Sequence, residues 1–451
     1  MITAQSLSGK SFAVLGLARS GLATVEALLA SGANVMAWDS SADARAALSS
    51  SPLWEEGRGE GQSGDSPSPN PLPRGERALR IADPLVTSLY GYSGVVVSPG
   101  VPLNRHPIAK RAAEAKVPVI GDIELFAQAR SEMPPHKVVG ITGTNGKSTV
   151  TALIHHILQT AGIPTLMGGN IGLPILSQKP LPEGGVYVLE LSSYQIDLTQ
   201  SLDCDVAVLL NISPDHLDRY DGMDDYAASK ARLFAMQSPE NVAVIAAEDD
   251  YTRAVAASLT GRKILVSASQ VKDQSRWPSL QGPHNAQNAA AAVAVARELG
   301  VADAAIAKAL ETYPGLPHRM ERVAEKGGVL FVNDSKATNP TSTAPALAAY
   351  PAVRWILGGR PKGDDLADCE PHLGHVRGAY TIGEAGPMFA QILRPKVPVT
   401  ECGELGTAVT AAARDAQAGE VVLLSPACAS FDQFKDYEAR GAAFRAAVEA
   451  L

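Results

Sequence analysis

Residues 138–149, VVGITGTNGKST, join an apolar run to a glycine-rich turn that closes on Lys-Ser-Thr and leads into the helical pattern TVTALIHHILQTAG. No other feature narrows the fold as much, because a strand that feeds such a turn into a helix belongs to a helix-covered, largely parallel sheet. Gly143 and Gly146, with Thr144 and Asn145 between them, let the backbone direct N–H groups at one anionic centre. Lys147 brings a point charge to the β- and γ-phosphates, and Ser148 or Thr149 offers a hydroxyl to Mg²⁺. The spacing from Gly140 to Ser148, GxxGxxGKS, differs slightly from the commoner phosphate loop, and ATP or a similar nucleotide is the expected ligand.

The same alternation of short β-rich runs with Ala/Leu-rich helical stretches covers the whole chain. Strands are expected at 11–16, 33–38, 94–98, 137–142, 186–191, 206–212, 242–247, 329–334, 353–359 and 421–425, nearly all ending in polar turns, where open α/β sheets bind ligands. A length of 451 residues exceeds what one core usually supports. The reading is an α/β protein of three domains: a Rossmann-like 1–123, a central P-loop ATPase-like 124–315 and a Rossmann-like 316–451, with YPGLP at 313–317 as a stiff two-proline hinge. Residues 55–77, rich in Gly, Pro, Ser and charge, read as a solvated, disordered insertion without catalytic work.

Net charge is −8, from 39 basic and 47 acidic residues, and no basic stripe interleaved with aromatics occurs, which argues against nucleic acid. The four cysteines form neither a CxxC pair nor a zinc spacing, and no apolar run approaches the roughly 20 residues that span a bilayer. A soluble cytoplasmic protein with reduced thiols, acting as a monomer away from membranes, is expected.

Several strand ends carry candidate chemistry. GLARSG, 16–21, is a dinucleotide-type turn with Ala18 where the second glycine would stand. It disfavours NAD and leaves either a nucleotide-type site using Asp39 or a plain turn capped by it. GGNIG, 168–172, presents Asn170, and Glu190 ends a strand beside the phosphate loop, where a Mg²⁺ ligand belongs. His216 is either a metal ligand or a loop histidine, and Lys230 in YAASKARLF reads by spacing as an ordinary helical lysine. Asn285 and Asn288 share one face near the start of an Ala-rich helix, suited to adenine or phosphate, and Arg319 could reach a phosphate. NDSKATN, GGRPKGDD and SPACASFDQFKDY bring Lys336, Lys362, Thr338 and Ser430 to one sheet edge, as an acidic small molecule requires. Cys428 reads as packing.

GTNGKST, GGNIG, ELSSYQID, DHLDRY, HNAQN, HRMERV, DSKATN and SPACASFDQF together resemble the Mur ligases over nearly the whole chain, with DSKATN and SPACASFDQF pointing to the branch that adds D-glutamate. The resemblance implies an ATP-dependent ligase that converts the carboxylate of UDP-N-acetylmuramoyl-L-alanine to an acyl phosphate, which the D-glutamate amine then attacks, in peptidoglycan precursor synthesis. It implies a UDP-substrate site at Arg19, Ser20, Asp39 and Gly100, extended by Asn170 and His216. ATP would meet 143–149, Asn285, Asn288, Arg319 and Asp334, and D-glutamate would meet Lys336, Thr338, Lys362, Ser430, Phe431 and Tyr437. Two Mg²⁺ ions are expected on Ser148, Thr149, Glu190, His216 and Lys230, the last as a carbamate, so that Lys147, Glu190, His216 and Lys230 form the catalytic set. Alternatives are a relative that adds another amino acid and an NAD-binding protein. The 55–77 insertion departs from the family pattern.

Overall fold

The computed structural model describes residues 1–50, 79–215 and 217–451, so the 55–77 insertion and His216 lie outside the described residues. The chain divides into two compact units, residues 1–265 with 298–300, and residues 266–297 with 301–451.

The first unit carries two sheets. The N-terminal sheet is built from β1 (Ser11–Leu15), β2 (Asn34–Trp38), β3 (Leu79–Ile81), β4 (Gly94–Val97) and β5 (Val119–Ile120) in the order β3-β2-β1-β4-β5, all pairs parallel. Its connections reverse direction between β1 and β4, which opens a crevice at their carboxyl ends. The second sheet contains β6 (His136–Thr142), β7 (Thr165–Gly169), β8 (Gly185–Glu190), β9 (Val206–Leu209), β10 (Val242–Ala246) and β11 (Lys263–Val266), ordered β11-β10-β9-β6-β8-β7. β6 lies between β8 and β9, with Val138, Val139 and Ile141 fully buried, so the phosphate loop emerges from the middle of the sheet. A strand buried on both faces reads as a continuous apolar run, as this one does.

The second unit carries β12 (Glu321–Lys326), β13 (Val329–Asn333), β14 (Val353–Gly358), β15 (Val376–Ile382), β16 (Val399–Gly403) and β17 (Val421–Leu424), ordered β12-β13-β17-β14-β15-β16. Only β12 runs antiparallel, against β13. The polar ends of β13, β17 and β14 are thus neighbours, so NDSKATN, SPACASFDQFKDY and GGRPKGDD start side by side. The 313–317 segment lies within this unit, as does all but the last residue of the helix Pro283–Glu298.

All ten expected strands are present, with ends shifted by up to three residues. Seven other strands among the described residues were not expected. β3 and β5 are very short, β12 is charged at four of its six positions, and β7 ends in Gly168 and Gly169. The four cysteines are free, and no described helix is long and apolar enough to cross a membrane.

Candidate active site

The phosphate loop is shaped by two glycines in left-handed conformations, Gly143 at φ +144° and Gly146 at φ +85°. A Cβ on Gly143 would lie 3.1 Å from the Leu210 Cβ and 3.2 Å from the Asn211 nitrogen, a tight fit that would add to the strain of a side chain at this φ. Gly146 caps the helix Lys147–Thr160, whose first amides face the loop. Lys147 Nζ lies across the turn, donating to the carbonyls of Gly143 at 2.9 Å and Thr144 at 2.7 Å. Ser148 is buried and Thr149 half-buried beside it.

Side chains after β9 hold the loop from below. The Asn211 amide accepts from Asn145 N at 2.8 Å and donates to Asn145 O at 3.1 Å, while its carbonyl accepts from Thr144 N at 2.8 Å. Thr144 Oγ1 donates to Ser213 O at 3.1 Å, accepts from Ser213 N at 3.0 Å and stands 3.2 Å from the Tyr226 hydroxyl. Asn211 is not among the residues that the motifs single out. Its signal was positional: it follows a core strand next to β6, as Glu190 does on the other side.

Glu190 pairs in register with Ile141 of β6 and Gly169 of β7, and is only 2% exposed. Its Oε1 accepts from Asn170 Nδ2 at 3.0 Å, whereas its Oε2 is buried without a hydrogen-bond partner. Gly169 is obligatory here, since a Cβ would fall 2.1 Å from the Glu190 carbonyl oxygen. A buried carboxylate oxygen lacking a donor, next to a phosphate loop that carries a serine hydroxyl, fits a hard divalent cation. Among the described residues no three His, Cys, Asp or Glu side chains cluster as a metal cage.

Lys230, on the helix Gly222–Ala235, is not a solvated helical lysine: it is 1% exposed and donates from Nζ to the Gly143 carbonyl at 3.0 Å, with Nζ 4.4 Å from the Tyr226 ring centre. Burial, reinforced by the Lys147 charge and opposed by Asp215 and Asp197, drives its pKa well below the usual lysine value. Such a placement favours the uncharged amine at the turn of the phosphate loop.

In the N-terminal sheet, Asp39 brackets the turn after β1. Its two oxygens accept from Leu17 N at 2.7 Å and Ser41 N at 2.8 Å, which is the capping role, one of the two that its position in sequence leaves open. Arg19 is exposed at the start of the helix Arg19–Ala30 and donates to Gly172 O at 3.4 Å. Ser20 lines a small cleft with Ser98, Pro99 and Asp122, at the crevice between β1 and β4. Gly100 lies on the exposed turn after β4.

In the second unit, Arg319 sits between two non-glycine residues in the left-handed region, His318 at φ +62° and Met320 at φ +47°. This strained turn is pinned by Lys336 N, which donates to His318 O, and by Met320 N, which donates to Asp334 Oδ1 at 3.1 Å. Asp334 also accepts from Ser425 Oγ at 2.8 Å, and burial pushes its carboxyl up to about 7 against these hydrogen bonds and the Arg319 charge. Lys336 Nζ lies 3.8 Å from the Tyr437 ring centre, and Lys362 Nζ donates to Thr338 Oγ1 at 3.4 Å. Ser430 is buried, whereas Phe431 is 62% exposed. Asn285 and Asn288 are both buried, and Asn288 Nδ2 donates to Asn285 Oδ1 at 3.1 Å.

One residue unforeseen in the sequence ties these loops together. Arg440, 1% exposed on the helix Tyr437–Glu449, donates to Ser335 Oγ and to the carbonyls of Ser335, Gly358, Cys428 and Ala429 over 2.9–3.4 Å. It spans the ends of β13, β14 and β17. In sequence it looks like one of two arginines on an Ala-rich surface helix.

A phosphate-loop sheet that follows one Rossmann-like sheet and precedes another in the chain, with a buried glutamate and a buried lysine beside the loop, defines a nucleotide-binding α/β protein built for phosphoryl chemistry. Family models match in two places, the Mur ligase middle domain over residues 141–279 and the Mur ligase, glutamate ligase domain over residues 318–428. The chain belongs to the Mur ligase family. It is 61% identical to the UDP-N-acetylmuramoylalanine--D-glutamate ligase of Novosphingobium aromaticivorans, covering 100% of this chain and 97% of that protein. It is 59% identical to the protein of the same name from Sphingopyxis alaskensis, over 100% of both chains. Among solved structures, UDP-N-acetylmuramate-alanine ligase from Thermotoga maritima aligns with a TM-score of 0.54 at 16% identity, covering 98% of this chain and 99% of the other. MurF from Acinetobacter baumannii aligns with a TM-score of 0.57 at 20% identity, covering 97% and 91%. Both structural likenesses speak for the fold.

Proposed function

We propose that this chain is an ATP-dependent ligase that joins D-glutamate to the L-alanyl carboxylate of UDP-N-acetylmuramoyl-L-alanine in peptidoglycan precursor synthesis, working as a cytoplasmic monomer. The observation that carries the reading is the convergence of Lys147 and the buried Lys230 on the Gly143 carbonyl, with the unpartnered Glu190 oxygen on the adjoining strand. Full-length relatives that bear this ligase name support the substrate assignment.

A carboxylate is a poor electrophile, so the alanyl carboxylate first attacks the γ-phosphate to give an acyl phosphate and ADP. Lys147, the loop amides and Arg319 meet the charge on the phosphoryl group as it transfers. Mg²⁺, when bound, screens the phosphate charges, and Ser148, Thr149, Glu190, His216 and Lys230 would hold it. Lys230 would do so after its neutral amine adds to CO₂ and sheds a proton, which converts a repelling cation into an anionic carbamate. Asn285, Asn288 and Asp334 are assigned to ATP, and Arg19, Ser20, Asp39, Gly100 and Asn170 to the UDP-linked acceptor. Lys336, Thr338, Lys362, Ser430, Phe431 and Tyr437 are assigned to D-glutamate, whose amine attacks the acyl phosphate and expels phosphate. The residues thereby fall into three functional domains, 1–123, 124–315 and 316–451.

The test is release of ADP and phosphate with UDP-N-acetylmuramoyl-L-alanine and each candidate amino acid. D-glutamate alone is expected to support turnover; turnover with L-glutamate or a diamino acid in its place overturns the assignment.

A further inference from the structure

Arg219 lies in the loop between β9 and the helix that carries Lys230, yet its guanidinium is spent on the N-terminal sheet. Its Nη1 donates to Gly100 O at 3.3 Å, and its Nη2 to Pro99 O at 3.2 Å and Val101 O at 3.0 Å. Three successive carbonyls of the turn after β4 therefore converge on one side chain, a match for the planar fork of arginine that a lysine ammonium cannot reproduce. The other face of the guanidinium covers the Tyr194 ring at 4.5 Å from its centre.

The stack continues inward. Tyr194 lies parallel to Tyr220, 15° between planes and 6.1 Å between centres. The Tyr220 hydroxyl donates to Asp197 Oδ2 at 2.9 Å, and Asp197 Oδ1 accepts from Ser229 Oγ at 2.7 Å. Ser229 adjoins Lys230, whose amine reaches Gly143 in the phosphate loop. A single chain of packed groups thus runs from the 99–101 turn to the activating centre. A second tie, Asn104 Nδ2 donating to Asp218 O at 3.1 Å, holds the same two loops together.

We propose that Arg219 is a positioning residue that sets the turn 99–101 of the N-terminal sheet in register with the Lys230 helix and the phosphate loop, so that an acceptor held by that turn presents its carboxylate to the γ-phosphate. This rests on the function proposed above. The residue touches neither reactant; it fixes the spacing between the sheet that holds one and the sheet that holds the other.

The experiment uses the full chain with Arg219→Ala and Arg219→Lys. The alanine variant is expected to raise the KM for UDP-N-acetylmuramoyl-L-alanine about tenfold or more, the scale of losing hydrogen bonds from a charged donor. Its affinity for a non-hydrolysable ATP analogue, measured without acceptor, stays unchanged. The lysine variant is expected to behave like alanine. Wild-type KM in the lysine variant makes charge alone sufficient and overturns the proposal, and an equal loss of ATP-analogue affinity overturns it as general damage. Hydrogen exchange at the Val101 amide, which donates to Ser98 O in the turn, is followed without any substrate and is expected to quicken in both variants. Unchanged exchange overturns the proposal whatever the acceptor is. Quickened exchange alongside a wild-type protein that turns over no UDP-linked acceptor upholds the role of Arg219 in setting the turn and removes the functional reading instead. If an Arg219 variant fails to fold, Tyr194→Leu takes its place with the same measurements, and the same outcomes support or overturn the proposal.

Discussion

Lys230 in the first unit and Arg440 in the second are buried to the same degree, 1% exposed, and the protein deals with them in opposite ways. Lys230 donates to one carbonyl and is driven toward its neutral form by burial and by the Lys147 charge. Arg440 keeps its charge, its pKa brought down only to about 10, and is solvated by four carbonyls and one hydroxyl. A buried cation must either lose its proton or be fully hydrogen-bonded. The first solution leaves a reactive amine at the phosphate loop, and the second makes a brace. The difference separates a group that can take part in chemistry from one that holds loops in place.

The largest expected effect tests the reactive side of that contrast. Lys230→Ala is expected to lower kcat about 1,000-fold or more, as losing a group that organises transition-state charge does, while thermal unfolding shows a folded protein. A short-chain carboxylic acid is expected to restore part of the rate by supplying the missing anionic oxygen. Lys230→Arg cannot become neutral, and should be both inactive and less stable. An active Lys230→Arg enzyme breaks the comparison, because a permanent cation would then serve where a neutral amine was required.

Arg440→Met tests the other side. Methionine fills much of the volume but leaves the carbonyls of Ser335, Gly358, Cys428 and Ala429 without this donor, at an expected cost of about 3 kcal/mol in urea unfolding. The KM for D-glutamate should rise with it, since the assigned residues Lys336, Lys362 and Ser430 sit on the braced loops. Arg440→Lys restores the charge without the fork and should recover little stability. Full recovery with lysine would mean that the charge, not the hydrogen-bond geometry, holds the loops.

The same contrast explains what could be read from the sequence. The phosphate loop was legible because its function is local: Gly143, Gly146, Lys147 and Ser148 act from adjacent positions, and Glu190 ends a core strand whose apolar run announces itself. The helical placement of Lys230 was legible too. That its amine points at Gly143, 87 residues away in sequence, was not. Arg440 joins residues up to 105 positions distant, and no local pattern marks it. Strands followed the same rule. Those with buried apolar runs stood out, whereas β12, with the sequence ERVAEK, forms through pairing with β13 despite having no buried residue.

Asp334 supplies the acidic counterpart and the smallest of the expected effects. Burial raises its carboxyl to about 7, outweighing the hydrogen bonds from Ser425 and Met320 and the attraction of Arg319. An unfolded aspartate titrates near ~4, so the folded state binds the proton more tightly. The stability this contributes is fully present below about pH 4 and is lost as pH rises through about 7. In Asp334→Asn the side-chain oxygen still accepts from Met320 N, and the Ser425 hydroxyl can turn to accept from the new amide. The variant has no charge to bury, so its stability relative to the wild type should climb between pH 4 and 8, by at most about 1.4 kcal/mol per pH unit. Urea midpoints of both proteins across that range check the slope. Parallel curves would mean that Asp334 keeps its charge in the folded protein, solvated by its neighbours as Arg440 is, and does not shed it as Lys230 does.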